Sequence, residues 1–441
     1  MTRFLAKTRA RVGASVLGIR DFRLLWAGQA ISAVGDQIFP IAVAVRVLQE
    51  GGSAGDLGLV LAARSLSFVL FLLIGGIVAD RLPRTRVMIG ADALRALGTF
   101  ALVLTPGRAS IGVLAAMTFV IGSGEAFFRP AYGAVVPTVV PESRLTAANA
   151  VNSLTFSSAT IIGPAIAGVL VATVGWRTAF AVDGATFVVS LLTLLRIREP
   201  AVERAERTSA WREATAGLRA VRDRPWILAV LLYFCVHLMI SLAPFIVLRP
   251  VIAGQRFGSE ALVGAMLSAF GVGAVIGALV ATRWRPRRRG AVAMAGLIPS
   301  AVAMVALAYS DSLALVIAAE LAAGIGAEIF QLYWVTSIQQ GVPRHLLARV
   351  ISLDWLLSIG LMPLGFALTG TAVDAFGMEA VLVTGAVVTV LGMCLLAVPG
   401  VSELRTPGTS TGPLPDDLAP LETTLLNVES GAIPAALDRP G

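Results

Sequence analysis

Charged residues are scarce in this chain of 441 residues, and their scarcity indicates its class. Only 14% of the residues are charged, 56% are hydrophobic, and the mean hydropathy is +0.83. A soluble domain carries about 25% charged residues. This chain therefore has too little polar surface to cover a globular core, and its composition predicts an integral membrane protein whose partner is the lipid bilayer.

Several chemical motifs are also missing. Cys235 and Cys394 lie inside apolar runs without metal-ligand spacing, which argues against a disulfide framework and against a metal site. The sequence contains no Gly-x-x-x-x-Gly-Lys-Ser/Thr phosphate loop, and no Ser-His-Asp set or pair of catalytic carboxylates stands out. The basic stretch 1–23 lacks the apolar core and the cleavage site of a signal peptide. We therefore expect neither an enzyme nor an ATP-driven pump, and we expect no cofactor.

Lysine is almost absent, because Lys7 is the only one, yet the net charge is +8. The arginines form short clusters between apolar runs, and a nucleic-acid-binding protein would gather them into one patch. We therefore expect no nucleic acid partner.

The sequence predicts an all-α integral membrane protein with twelve transmembrane helices. About twelve apolar runs reach or approach the ~20 residues that a helix needs to cross a bilayer. They lie at 23–48, 57–79, 86–105, 110–136, 145–173, 177–196, 226–250, 259–282, 290–309, 312–340, 346–374 and 378–398.

The loops between these runs alternate in charge. Loops on the side of the N-terminus carry 27 basic residues, whereas the opposite loops carry at most four, which are Arg108, Arg177, Arg249 and Arg256. Positively charged loops stay in the cytoplasm. We therefore expect a multi-pass protein of the cell membrane with both termini in the cytoplasm.

The chain also repeats itself after about 200 residues, which predicts two pseudo-symmetric six-helix halves. Gly76 to Arg86 has a weaker copy in Gly277 to Arg287, which lacks the aspartate. The expected organisation is a cytoplasmic segment 1–22, an N-terminal half 23–196, a cytoplasmic linker 197–225, a C-terminal half 226–398 and a disordered tail 399–441. Within the linker, one helical stripe contains Trp211, Thr215, Leu218 and Arg222. This pattern fits a short interfacial helix, and a plain loop is an equally good alternative.

Several segments together resemble the major facilitator superfamily, and more narrowly its drug and siderophore exporters related to enterobactin exporters. They are Arg20–Trp26, Ile31–Asp36, the Gly-x-x-x-Asp-Arg-x-x-Arg segment from Gly76, Pro137–Asn149, Gly163-Pro164 and Gln339–Pro343. The resemblance implies a monomeric secondary transporter that exports a small amphipathic molecule (a drug, siderophore or secondary metabolite) by proton antiport with alternating access. An importer or uniporter of a small solute with the same fold is the alternative. A membrane enzyme or signalling protein is the rival from another class.

Charged residues inside the apolar runs are the candidates for coupling and substrate binding. Asp36 lies near the middle of helix 1, where a carboxylate costs roughly 2.5–3.5 kcal/mol. It is either a proton carrier or a structural ion-pair partner. Glu125 is the second candidate for protonation, and with Arg129, four residues later, it could form an intrahelical ion pair or a network with the signature loop. Arg46 and Arg64 could line the cavity or extend to the headgroups.

The second half offers Glu328, Gln331 and Asp354 as contacts for substrate or for gating, with bonding between helices as the alternative. Gly163, Pro164 and Gly168 in helix 5 resemble the motif associated with exporters. Proline there permits a kink, and glycine permits close helix contact.

The signature loop predicts a conformational latch. Gly76 would let helix 2 contact helix 11, Asp80 would face the positive end of that helix, and Arg81, Arg84 and Arg129 would complete the latch. The alternative is a loop that only sets the topology.

Overall fold

The computed structural model describes residues 16–107, 109–199, 218–284 and 286–404, and its elements in these ranges are helical. The N-terminal half contains α1 (Arg20–Gln49), α2 (Ala54–Arg81), α3 (Arg84–Leu104), α4 (Ile111–Val139) and, within the continuous run Leu145–Leu194, α5 and α6. A 3₁₀ turn, Glu142–Arg144, precedes α5. Gly175 divides α5 from α6, because its φ of 82° and ψ of 167° are non-helical and suit glycine.

The C-terminal half repeats this arrangement with more interruptions. It contains α7 (Pro225–His237 and Ala243–Phe257, joined by the π-helical turn Leu238–Leu242), the 3₁₀ turn Glu260–Leu262, α8 (Val263–Arg283), α9 (Arg289–Ala295 and Ile298–Tyr309), α10 (Leu313–Gly341), α11 (Arg344–Gly360 and Met362–Phe376) and α12 (Met378–Leu391, ending in the 3₁₀ turn Gly392–Ala397).

The helices have the length and hydropathy of membrane spans. Eleven helical stretches in the described residues meet that description, and one of them, Glu142–Leu194, has 53 residues. Because the break at Gly175 divides that stretch into two, the predicted twelve helices in two six-helix halves are confirmed. The protein is therefore a multi-pass membrane protein.

The two halves extend beyond their predicted ends. Val16 and Phe22, assigned to a separate N-terminal segment, are buried in the N-terminal half. Val401 and Leu404, assigned to a disordered tail, are buried in the C-terminal half. Apolar side chains just outside the membrane spans therefore still find partners. Residues 1–15, 200–217 and 405–441, which hold most of the predicted interfacial helix and tail, lie outside the described residues.

The packing of the two halves differs between the two membrane faces. We call the face with the α2–α3 loop and the start of α7 the linker face, and the opposite one the far face. Toward the far face, one hydrophobic cluster joins both halves, from Ile38 and Val60 to Phe245 and Phe366. Toward the linker face, each half has a separate cluster. The cleft between the halves is therefore closed at the far face and opens toward the linker face.

Glycines permit the close contact that closes the far face. Gly55 of α2 packs against Gly370 of α11, where an added Cβ on Gly55 would lie 3.2 Å from the Gly370 Cα. Gly168 of α5 packs against Gly264 of α8 in the same way. Small residues let helix backbones approach where no side chain would fit.

Candidate functional site

A network of charged side chains lies near the middle of the N-terminal half. Five helices supply its members, which are separated along the sequence but contiguous in space. They are Asp36 of α1, Arg64 of α2, Asp92 and Arg95 of α3, Glu125 and Arg129 of α4, and Asp183 of α6.

One part of the network is centred on Arg95. Its guanidinium donates a hydrogen bond to Asp36 and lies 3.5 Å from an oxygen of Asp92. It also lies over the ring of Phe187, 3.9 Å from the ring centroid. The Arg95 and Asp92 side chains are buried, whereas 35% of the Asp36 side chain is exposed. Asp36 is therefore the most accessible carboxylate of this part.

The other part of the network is centred on Glu125. Arg64 donates to one carboxylate oxygen at 3.0 Å, and Arg129 donates to the other from Nη2 at 2.7 Å and from Nε at 3.0 Å. The Arg129 side chain is 55% exposed and lies over the ring of Phe68. The predicted pair between Glu125 and Arg129 is confirmed. The structure places Arg129 in this network and not, as predicted, with the α2–α3 loop.

Asp183 is a member that the sequence analysis missed. It is fully buried, and neither carboxylate oxygen has a hydrogen-bond partner in the described part of the chain. It packs against the backbone of α1, since a Cβ added to Gly35 would lie 2.8 Å from its Oδ1. The sequence does contain a signal for Asp183, because a single aspartate within the apolar run 177–196 marks a candidate functional residue.

Arg46 does not belong to this network and does not line the cleft. Its side chain is fully buried near the far face. It donates to the Leu102 carbonyl at 2.7 Å, approaches Glu50 at 3.3 Å and lies 4.4 Å from the Trp176 ring centroid. The prediction of a cavity role is therefore wrong for this state, because the guanidinium is buried among partners within the N-terminal half.

Two of the three polar candidates in the C-terminal half share one cavity. A cavity of about 180 Å³ between α7, α10 and α11 is lined by Gln331 and Asp354 together with aromatic and aliphatic residues. Asp354 accepts a hydrogen bond from the Trp334 indole at 3.1 Å. Glu328 lies apart, half-buried beside Gly277 of α8.

The sequence analysis also missed a buried ion pair in the C-terminal half. Arg249, at the end of the predicted span 226–250 and counted at most among the far-face arginines, lies well inside α7 and is 6% exposed. It forms two hydrogen bonds to Glu320 of α10, at 2.7 and 2.9 Å. Such a bidentate pair satisfies both charges and joins the two helices.

The predicted latch is not formed in this state. An added Cβ on Gly76 would meet nothing within 4 Å, and the side chains of Asp80 and Arg81 are exposed. Instead, Glu199, five residues after the end of α6, caps α3. Its carboxylate accepts from the backbone N–H groups of Arg84 and Thr85 at 3.0 and 2.9 Å. An acidic side chain at a helix N-terminus satisfies unpaired N–H groups.

The helix 5 motif divides between two neighbours. Gly163 packs against Gln37 of α1, within the same half. Pro164 and Gly168 contact Gly264 of α8, across the two halves. The motif therefore contributes directly to closing the far face.

Sequence comparison identifies relatives along almost the whole chain. Residues 25–357 match the Major Facilitator Superfamily. The multidrug efflux pump Tap of Mycolicibacterium fortuitum is 28% identical over 85% of this chain and 94% of its own length. The macrolide efflux protein A of Streptococcus pyogenes is 25% identical over 87% of this chain and 96% of its own length.

Solved structures agree on the fold. A bacterial homologue of the human lysosomal transporter Spinster, in an inward-facing and unoccupied conformation, has a TM-score of 0.67 and 16% identity, covering 90% of this chain and 96% of its own. The peptide transporter POT has a TM-score of 0.70 and 14% identity, covering 90% and 99%. With its two six-helix halves and its matching sequence, the chain belongs to the Major Facilitator Superfamily.

Proposed function

We propose that this protein exports small amphipathic organic compounds from the cell in exchange for protons, acting as a monomer. The observation that carries the proposal is a charge network in mid-membrane, with a partly exposed carboxylate, Asp36, paired to a buried arginine. Ionisable groups at this depth are costly and mark ion or proton pathways. The efflux activity named for the relatives Tap and macrolide efflux protein A supports export.

The direction of transport depends on the orientation in the membrane. The described loops and helix ends at the linker face carry most of the arginines, among them Arg81, Arg86, Arg283 and Arg288. By the positive-inside rule this face is cytoplasmic in the cell membrane. The cleft then opens to the cytoplasm, where an exporter takes up its substrate.

Coupling would use the pair between Asp36 and Arg95. A proton on Asp36 removes the negative charge that Arg95 pairs with, so the protonated and ionised networks favour different helix arrangements. Substrate entry from the cytoplasm and proton release to it would alternate. In the state open to the far face, substrate would leave and a proton would bind, so that each cycle moves one proton inward.

The C-terminal cavity would take part of the substrate. Asp354 is the one charged residue among the described lining residues, and Phe234, Phe330 and Trp334 line the same cavity. Aromatic faces beside a carboxylate favour a group with positive charge and apolar surface. Since about 180 Å³ is smaller than a typical drug site, the rest of the molecule would lie in the cleft.

Purified protein in proteoliposomes tests the proposal. We expect an imposed proton gradient to drive uphill transport of a macrolide, and Asp36→Asn to abolish this uphill transport. The control is Asp374→Asn, which removes an exposed carboxylate at the far end of α11. Unimpaired proton-driven transport by Asp36→Asn would contradict the assigned role. Accumulation only in the uptake direction would favour an importer.

A further inference from the structure

The charge network of the N-terminal half contains more acids than bases. It holds four carboxylates and three guanidinium groups, so one negative charge remains when all are ionised. The excess lies on the Arg95 side, where Asp36, Asp92 and Asp183 share one arginine. On the other side, two arginines surround Glu125.

We propose that Asp183 of α6 is the residue that stores the transported proton, with Asp36 as the group that exchanges it with the cleft. This inference rests on the proposed proton antiport and names the residue that holds the proton in the state with the cleft open to the linker face.

Burial and contacts distinguish Asp183 from the other acids. Asp36 receives a hydrogen bond from Arg95, Asp92 lies 3.5 Å from the same guanidinium, and Glu125 receives three hydrogen bonds from two arginines. Each of these contacts stabilises the ionised carboxylate. Asp183 is as deeply buried as Asp92, and the oxygens of both lack a hydrogen-bond donor among the described residues. Unlike Asp92, however, Asp183 has no guanidinium within ion-pair distance in that part of the chain. A buried carboxylate without a partner is far more costly than a neutral carboxyl group.

The groups that face Asp183 come from three helices. Asp36 of α1, Arg64 of α2 and Arg95 of α3 interact with it electrostatically. Their effects on Asp183 oppose one another, because the Asp36 carboxylate disfavours a negative charge on Asp183 whereas the two arginines favour it. Arg64 and Arg95 are already paired with Glu125 and Asp36, so neither is left to neutralise Asp183.

The geometry also supplies a route to the cleft. The Asp183 side chain is fully buried, whereas Asp36 is 35% exposed. The two lie close together, because Asp183 packs on Gly35, the residue before Asp36. A proton leaving Asp183 would pass to the Asp36 carboxylate and then to water. The network gains one negative charge in that step, and a proton or a cationic substrate restores neutrality.

Infrared spectroscopy of the full-length protein in lipid vesicles tests this inference without any substrate. We expect a band of a buried, protonated carboxyl group at neutral pH, and its loss as the pH is raised. Asp183→Asn, which is nearly isosteric, should remove the band, and Asp374→Asn should keep it. Asp183→Glu should shift it, and it provides the assignment if the asparagine variant does not fold.

Two spectroscopic results would overturn the inference. If the band persists in Asp183→Asn, the proton lies elsewhere. If the band never titrates while the protein stays folded, Asp183 is permanently neutral and stores no transported proton.

Transport separates this inference from the proposed function. With a labelled macrolide, Asp183→Asn should retain counterflow between equal concentrations and lose proton-driven accumulation. Proton-driven accumulation by Asp183→Asn at the wild-type level would contradict the inference. If the wild-type protein moves neither a macrolide nor another drug, the proposed function fails, whereas the infrared result still decides whether Asp183 holds a proton.

Discussion

Replacing Gly168 by valine is expected to open the contact that closes the far face. A Cβ at this position would lie 2.9 Å from the Ala261 carbonyl oxygen and 3.2 Å from the Gly264 Cα. Both are backbone atoms of the other half, which cannot rotate away as a side chain can. Overpacking of this kind costs about 1–3 kcal/mol. Because the penalty falls only on the state with the far face closed, the equilibrium should shift about 5- to 150-fold toward the opposite state.

Distances between spin labels on the two halves measure this shift. A far-face pair at positions 174 and 376 and a linker-face pair at positions 82 and 284 use exposed residues. The label sites are introduced after the exposed Cys394 is replaced by serine, whereas Cys235 is buried. We expect the far-face distance to lengthen and the linker-face distance to shorten.

The matched control is valine at Gly90, where an added Cβ would meet nothing within 4 Å. That variant should keep the distances of the wild-type protein. If the valine at position 168 also leaves both distances unchanged in a folded protein, then the contact between α5 and α8 does not hold the far face closed.

Three further predictions concern single carboxylates. Glu320→Ala should lower the free energy of unfolding by about 3–5 kcal/mol, because it leaves Arg249 buried and unpaired. Thermal unfolding in detergent measures this loss, and Glu142→Ala, which removes an exposed carboxylate, is the control. A smaller loss for Glu320→Ala than for Glu142→Ala would contradict the prediction. Glu199→Gln should weaken the cap of α3 by about 0.5–2 kcal/mol, seen as faster hydrogen exchange at the start of that helix; unchanged exchange there would refute the cap. Asp80→Asn should leave the described state unchanged but slow transport, because we expect the α2–α3 loop to act as a latch only in the opposite state. Wild-type transport together with unchanged accessibility of the linker face would show that the loop only sets the topology.

The helices could be predicted because the signal is local. Apolar runs long enough to cross a bilayer gave twelve helices, and the break near Gly175 fell between the predicted spans 145–173 and 177–196. The pair of Glu125 with Arg129 could be predicted equally well, since residues four apart share one face of a helix.

The contacts between helices could not be predicted from one sequence. Arg64 lies 61 residues from Glu125, Arg95 lies 59 from Asp36, and Arg249 lies 71 from Glu320. No local periodicity encodes such partners, because they depend on which helices become neighbours and on how each is rotated. Arg46 was misjudged for the same reason.

The latch illustrates a second limit. Gly76 and Asp80 were predicted to contact helix 11, whereas in the structure a Cβ added to Gly76 would meet nothing within 4 Å and Asp80 is exposed. A sequence encodes every state of a transporter at once, and one conformation samples only some of its contacts. Whether the motif is a latch is therefore decided by a measurement that populates the opposite state.

Proton-driven export by the purified protein tests the coupling most directly. One proton moving down a gradient of about one pH unit supplies about 1.36 kcal/mol, enough to sustain roughly a tenfold substrate gradient. In proteoliposomes with an imposed pH gradient, the wild-type protein should concentrate a macrolide against its gradient, and Asp36→Asn should only equilibrate it. Equal accumulation by both proteins, or accumulation that ignores the pH gradient, would contradict proton antiport through this network.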